Sequence, residues 1–388
     1  MSAARLNFLP MLSRLVELPS MSSVSPAFDT GNRAVVDTLA TWLEELGFSV
    51  EVTPLPQQPQ KANLLATLGA VTPESRGLML AGHTDTVPYD ADRWRHDPFC
   101  LTEADQRLYG LGTADMKGFF PLVIEAVKKF RAADFQQPLF VLATADEESS
   151  MAGALQLVER GCPGVAYAII GEPTGLTPVN AHKGIMMEAV RVVGRAGHSS
   201  NPALGVNALE AMHRVMGEML QWRADLQRRY RDDRFDVPLP TLNLGRIHGG
   251  DNPNRICDHC ELHFDLRPVP GMSLEELRND LRRRLSALLE HDEVRWEVFS
   301  LVHGTSPLHT PADSPVVRFS EQACGAASHA VSFCTEGPYL AELGIETVIL
   351  GPGNVAQAHQ PDEYLALDRI EPMVEVLARA IDRFCVQG

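Results

Sequence analysis

The chain is expected to fold as an α/β protein. A mixed, largely parallel sheet flanked by helices is interrupted by a smaller α+β unit of ferredoxin-like order. Three observations lead there. Over residues 1–181, short apolar runs alternate with segments of helical periodicity. Over residues 182–300 the order becomes strand, helix, two strands, helix, strand. Over residues 301–388 the first texture resumes, so the larger unit is discontinuous and the smaller one is inserted. A length of 388 residues also suits two units better than one core.

Residues 4–18 are apolar at helical spacing, with Pro10 early in the segment. Residues 30–46 form a second amphipathic helix, closed by Gly47. Residues 48–53 alternate like a strand, and 63–68 and 77–81 are short apolar strands. Residues 89–107 carry Trp94, Pro98 and many charges without a period, which reads as a loop. Helical spacing returns over 117–130. Residues 138–144 are a continuous apolar strand ending in Ala145-Asp146-Glu147-Glu148, and a helix follows over 150–160. Residues 165–170 are another buried-type strand, ending in Gly171-Glu172-Pro173-Thr174.

In the insertion, residues 184–193 alternate as a half-exposed strand, and Gly197-His198-Ser199-Ser200 is a polar turn. A long helix over 206–230 precedes strands over 242–247 and 261–266. A helix over 273–289 has Glu275 and Glu276 in its first turn, where the helix dipole favours acids. A strand over 295–300 closes the unit. The remainder reads as a helix over 314–324, a helix near 337–342, a strand over 347–350 and a helix over 368–384.

The formal net charge of -16 argues against nucleic acid and anionic membrane surfaces as partners. An anionic small substrate stays open, because one local cation can hold a carboxylate. Seven scattered cysteines do not make a disulfide framework. Cys257 and Cys260 have C-x-x-C spacing without a second pair, so two thiols at a strand start are expected. No segment approaches a membrane span and no apolar leader is evident, so a reduced, cytoplasmic setting is expected.

In open α/β sheets, ligands gather at the carboxyl ends of the strands. Metal-capable side chains recur there: His83 and Asp85, then Glu147 and Glu148, then Glu172. Asp115 precedes a helix, and His359 follows the last strand. Any one of these could be a cap or a polar strand end; their recurrence points to one site. Two His and several carboxylates suit a pair of zinc ions sharing a bridging carboxylate. At i and i+2 on a strand end, Asp85 can orient the His83 ring. Adjacent Glu147 and Glu148 point apart, so one can bind metal while the other serves as general base.

The segments AGHTDTVP, GTADMKG, ATADEES, GEPTG, GRAGHSSNP and GPGNVAQAHQPDEY run in order along nearly the whole chain. Together they resemble the co-catalytic zinc aminoacylase and carboxypeptidase family. The resemblance implies a zinc-peptidase-like catalytic unit over 1–181 and 301–388, and a lid and dimerisation unit over 182–300. It implies that His83 and Glu172 bind one ion, Glu148 and His359 the other, and that Asp115 bridges. Glu147 would be the base, Asp85 would support His83, and the Asp115–Met116 peptide would be cis. The GHS pattern implies that His198 reaches the neighbouring subunit's site in a homodimer and steadies the oxyanion. The ions would be zinc first, with cobalt as an alternative.

Within that family, NAHKG, NRIC, CTEGPY and HQPDEY most resemble one branch, and that resemblance implies the acetyl amide of N2-acetyl-L-ornithine as substrate. Desuccinylase, aminoacylase and dipeptidase chemistry at the same two-metal site remain alternatives. Arg255, Asn254 and Lys183 are candidates for the substrate carboxylate, since a guanidinium fork matches it. Glu336 is a candidate for the side-chain ammonium. A metal-free serine hydrolase lacks its G-x-S-x-G elbow, and the full ligand set argues against an inactive binding module.

Overall fold

A computed structural model describes residues 3–56 and 58–387. The chain divides into two units. The larger holds residues 1–180, 310–329 and 335–388, and the smaller holds 181–309 and 330–334. The return from the insertion therefore comes after His309, later than the expected boundary at residue 300. The reason is backbone pairing: Leu308 and His309 pair with His182 and Ala181. Residues 330–334 join the smaller unit because the Lys183 amide donates to the Val331 carbonyl at 3.3 Å.

In the larger unit, α1 (Ala3–Val16) and α2 (Arg33–Glu45) precede β1 (Ser49–Leu55), β2 (Gln58–Leu68) and β3 (Gly77–His83). Then come α3 (Phe119–Val127), β4 (Leu139–Thr144), α4 (Ala152–Arg160) and β5 (Val165–Ile170). The strand order is β1–β2–β4–β3–β5, and a later strand, Glu346–Ile349, lies beside β5. β3 runs parallel to both β4 and β5, and Glu346–Ile349 runs parallel to β5. β1 and β2 pair antiparallel, as do β2 and β4. Registers align the carboxyl ends: His83 faces Thr144, Ala81 faces Ile170, and Ile349 faces Ile170. β3 and β4 are buried along their whole length, as the unbroken apolar runs require.

Every residue of α3 is buried, and it packs against α1 and the C-terminal helix Ile370–Ile381. Lys117, just before α3, is fully buried. Its ammonium donates to the Leu15 and Leu18 carbonyls at 2.8 and 3.1 Å, satisfying groups at the end of α1. Burial pushes its pKa down to about 7.

Residues 89–107, expected as a loop, contribute strands. Thr102–Ala104 and Arg107–Tyr109 form a hairpin, and Tyr364–Ala366 pairs with its second strand. The two turn residues, Asp105 and Gln106, have φ of 49° and 59°. That turn normally takes Asn-Gly or Asp-Gly, so Asp-Gln gave no hairpin signal.

The smaller unit contains β6 (Met186–Val193), α5 (Ala208–Arg229), β7 (Thr241–Gly249), β8 (His259–Arg267), α6 (Leu274–Leu288) and β9 (Arg295–Ser300). Its antiparallel sheet has the order β7–β8–β6–β9, a split βαβ arrangement. Val190, Val192, Leu262 and Phe264 meet Met212, Trp222, Leu281 and Leu285 in one buried cluster. Asn207 caps α5 by accepting from the Leu209 amide at 3.0 Å. Trp222 Nε1 donates to Asp280 Oδ2 at 2.8 Å, tying α5 to α6. The seven cysteines are free thiols; Cys260 is buried, and Cys257 Sγ donates to the His259 carbonyl. Among the described residues, no helix is long and apolar enough to cross a membrane.

Later in the larger unit come α7 (Pro315–Cys324), α8 (Gly337–Glu342), β10 (Glu346–Ile349) and α9 (Ile370–Ile381).

Candidate active site

β3, β4 and β5 end side by side, and each delivers polar groups to the same edge of the sheet. His83 closes β3 and is 1% exposed. Its Nδ1 lies 3.0 Å from the Asp85 carbonyl. A carbonyl only accepts, so Nδ1 carries the proton and Nε2 is turned toward the acids. Nε2 lies 3.1 Å from Asp115 Oδ1 and 3.8 Å from Glu172 Oε1. Gly171 places Glu172 at the end of β5, because a Cβ there would sit 2.1 Å from the Phe119 ring.

The second His arrives from the far end of the chain. His359 has φ of 59°, and its side chain is 54% exposed. Its Nε2 lies 3.0 Å from Glu148 Oε2 and 3.6 Å from Asp115 Oδ2. Asp115 thus presents one oxygen to the His83–Glu172 pair and the other to the His359–Glu148 pair. The peptide from Asp115 to Met116 is cis.

Asp85 serves two neighbours. Its carboxylate lies 3.8 Å from His83 Nδ1, farther than its own carbonyl does. Its oxygens accept from the Glu147 and Glu148 amides at 3.3 and 3.1 Å. The expected support of the His83 ring is therefore given mainly by the Asp85 backbone. The side chain orients the acidic loop.

Glu147 is partly accessible. One of its oxygens lies within 4.8 Å of ligand atoms of His83 and Glu172. Burial, and then the Glu172 charge, hold its carboxyl well above the ordinary range. Burial also raises Glu172, with Asp115 and Glu148 adding to the effect. Burial pushes Asp85 up to about 7. His359 rises to about 9, chiefly through its hydrogen bond to Glu148. Burial opposes the charge on His83, yet the Asp115 hydrogen bond and the Glu172 and Asp85 charges raise it well above 6.5. Asp85, Asp115, Glu147, Glu148 and Glu172 outnumber the two imidazoles, so this edge concentrates negative charge. The donor set, imidazole nitrogen and carboxylate oxygen with one shared carboxylate, fits two divalent cations.

Two supports lie outside the expected set. Glu363 is fully buried, and its carboxylate accepts from the amides of Gly112, Ala114 and Asp115 at 3.0, 2.8 and 2.9 Å. It ties the loop carrying Asp115 to the segment carrying His359. Lys61 Nζ lies 2.8 Å from Asp29 Oδ2 and 2.6 Å from Asp146 Oδ1. Asp146 also accepts from Ser22 Oγ at 2.7 Å and turns the chain at φ 60° just before Glu147. The acid in HQPDEY and the acid before Glu147 were visible signals, but their partners lie far away in sequence.

Glu336 belongs to the same unit. It is 2% exposed, and its Oε2 accepts from Thr144 Oγ1 at 2.6 Å. Its other oxygen is buried and has no hydrogen-bond partner among the described residues.

His198, Asn254, Arg255 and Lys183 lie in the smaller unit. His198 is exposed, and its Nδ1 accepts from the Ser200 amide at 3.2 Å. In the neutral ring the proton therefore sits on Nε2, which can donate outward. The loop bearing it pairs with 254–255: His198 bridges to Arg255, and the Ser199 amide donates to the Asn254 carbonyl. Arg255 pairs with Asp251 at 2.6 Å and Asp258 at 3.4 Å. Lys183 is no surface cation. It is 2% exposed, donates to the Leu239 carbonyl at 2.8 Å and lies over the Phe235 ring.

Residues 79–383 match the family model for peptidase family M20/M25/M40. The acetylornithine deacetylase of Vibrio campbellii (strain ATCC BAA-1116) is 48% identical over 386 residues, 98% of this chain and 99% of that protein. The acetylornithine deacetylase of Klebsiella pneumoniae (strain 342) is 47% identical, over 97% and 98% of the two chains. Among solved structures, aminopeptidase PepT of Bacillus cereus superposes with a TM-score of 0.74 at 19% identity, covering 98% of each chain. The Bacillus subtilis YXEP protein, a dinuclear metal binding peptidase, has a TM-score of 0.68 at 15% identity, covering 98% of this chain and 99% of its own. The motifs at the sheet edge, the full-length sequence match and the shared fold agree, and the chain belongs to peptidase family M20/M25/M40.

Proposed function

We propose that this protein hydrolyses the acetyl amide of N2-acetyl-L-ornithine to L-ornithine and acetate, as a step of arginine biosynthesis in the cytoplasm. The observation that carries the chemistry is the division of Asp115 between two ligand pairs, at 3.1 Å from His83 and 3.6 Å from His359. The substrate is inferred from full-length relatives named acetylornithine deacetylase. His83 and Glu172 would hold one ion and His359 and Glu148 the other, with Asp115 lying between the two imidazoles. Zinc is the preferred ion, and cobalt is an alternative. When bound, the pair supplies Lewis-acid activation of a water and of the scissile carbonyl.

Glu147 takes the proton of the attacking water and returns it to the leaving amine. One of its oxygens lies within 4.8 Å of ligand atoms of His83 and Glu172, within reach of a water held beside them. His198 donates from Nε2 to the developing oxyanion of the neighbouring subunit's substrate, in a homodimer formed through the inserted unit. Asn254 and Arg255 receive the substrate carboxylate, in the segment bridged to the His198 loop. Arg255 shares its guanidinium with Asp251 and Asp258 until substrate arrives. Glu336 is spent partly on Thr144, and its free oxygen sets the negative field toward which the side-chain ammonium is drawn. Lys183 already donates to Leu239, so its contribution to carboxylate binding runs through the chain position it holds.

Purified protein assayed on acetylornithine, succinyl-diaminopimelate and acetylmethionine tests this reading. The highest kcat/KM is expected on acetylornithine, with activity lost on chelation. A clear preference for either other substrate overturns the substrate assignment.

A further inference from the structure

The inserted unit carries a second grouping of metal-capable side chains. His248, Glu261 and His263 each offer a ligand atom, and these atoms lie within 4.8 Å of one another. The grouping follows from strand register. His248 on β7 stands directly opposite Glu261 on β8, and His263 is two residues along β8. Opposite partners and i, i+2 residues project from the same face of a sheet. The intervening Leu262 and the flanking Cys260 and Phe264 point the other way, into the helix-covered core. All three candidate ligands therefore stand on the face away from α5 and α6.

Their mutual geometry is tight. His263 Nε2 lies 2.7 Å from Glu261 Oε1, and the rings of His248 and His263 are 6.0 Å apart and nearly perpendicular. The second oxygen of Glu261 is held by Arg191 Nε at 2.7 Å, and Arg191 is itself anchored by Glu297 at 2.6 Å. A ligating carboxylate is commonly held by an outer hydrogen bond, as Glu261 is by Arg191. Two imidazoles and one carboxylate suit zinc or another borderline divalent ion and leave a position open to water.

We propose that His248, Glu261 and His263 bind a third divalent cation of the zinc class, distinct from the pair at the sheet edge of the larger unit. Binding replaces the His263–Glu261 hydrogen bond with a bond from each group to the ion. The ion joins β7, the edge strand of this sheet among the described residues, to β8 through side chains as well as backbone.

The test is zinc titration of the holoenzyme by calorimetry, with bound metal counted after desalting. The parent protein is expected to take up one zinc per chain beyond the catalytic complement. His248→Asn and His263→Asn are each expected to lose that uptake while retaining kcat and KM, and to lose the rise in thermal midpoint that added zinc gives the parent. Failure of the holoenzyme to bind a further zinc overturns the proposal. So does uptake that persists unchanged in the double variant, since the ion then sits elsewhere. Cobalt titration gives a second readout: a further visible d–d band is expected in the parent and should vanish in both single variants.

Discussion

Glutamine at position 147 separates proton transfer from metal binding. The substitution keeps the length and shape of the side chain but removes its basic oxygen. The backbone should not move, because Asp85 holds the 147 and 148 amides at 3.3 and 3.1 Å whatever the side chain. Glu148 therefore stays on His359, and His83, Asp115 and Glu172 keep their places. Loss of a positioned base costs about 10²–10⁴ in rate. At about 1.4 kcal/mol per decade, that is about 3–5 kcal/mol of barrier. Stability should move the other way. Burial and the charges of Glu172, Glu148 and Asp85 hold the Glu147 carboxyl well above its ordinary range, so its anion is disfavoured at neutral pH. Every tenfold rise in proton affinity that the fold imposes on a carboxylate costs about 1.4 kcal/mol when the group is ionised, and glutamine carries no such cost. In chelator-treated samples at pH 8, Glu147→Gln should thus unfold at a higher temperature than the parent. The assays are ornithine release, metal content by plasma emission and thermal unfolding. Turnover within tenfold of the parent, or loss of an ion, would refute the role assigned to Glu147.

Three further outcomes are expected. Chelator-treated protein should lose stability as pH rises from about 4 to about 7, because Asp85 has a native pKa of about 7 against an unfolded value near 4. A carboxyl raised in the native state contributes its full stability below the unfolded pKa and loses it on passing the native one. The loss from this group is on the order of 4 kcal/mol, measurable by urea unfolding at several pH values, and restored metal should reverse it. Glu363→Ala leaves three buried amides without an acceptor, at about 1–3 kcal/mol each before water enters. Its midpoint in urea should fall sharply and its metal affinity should weaken; a wild-type midpoint counts against the clamp. His198→Ala should retain both ions and the parent's stability while kcat falls about 10²–10³-fold. An unchanged kcat removes His198 from the reaction.

Several parts of the site were legible because strand ends and motifs are local. The apolar runs before His83, Ala145 and Gly171 mark β3, β4 and β5, and the acids follow directly in the chain. A parallel sheet then brings its carboxyl ends together, so Glu147, Glu148 and Glu172 could be grouped before any contact was seen. Two strands around residues 102–109 were missed because Asp105-Gln106 adopts positive φ without the usual glycine. The late return near His309 was missed because two residues of pairing leave no periodic pattern.

Composition, hydrophobic period and motif order determine the two-unit α/β plan and the identity of the acids and imidazoles at the sheet edge. Which oxygen serves which neighbour depends on contacts across the chain. Asp115 divides between His83 and His359, residues 32 and 244 positions away, only once three loops are packed together. Glu363 reaches back to the amides of 112–115, and Lys61 reaches forward to Asp146, which sets the turn before Glu147. Asp85 turned out to orient the acidic loop as much as the imidazole. Such assignments rest on distances of a few ångströms between groups remote in sequence. Periodicity constrains the direction of a side chain from its own strand or helix, whereas its partner is chosen by how the elements pack.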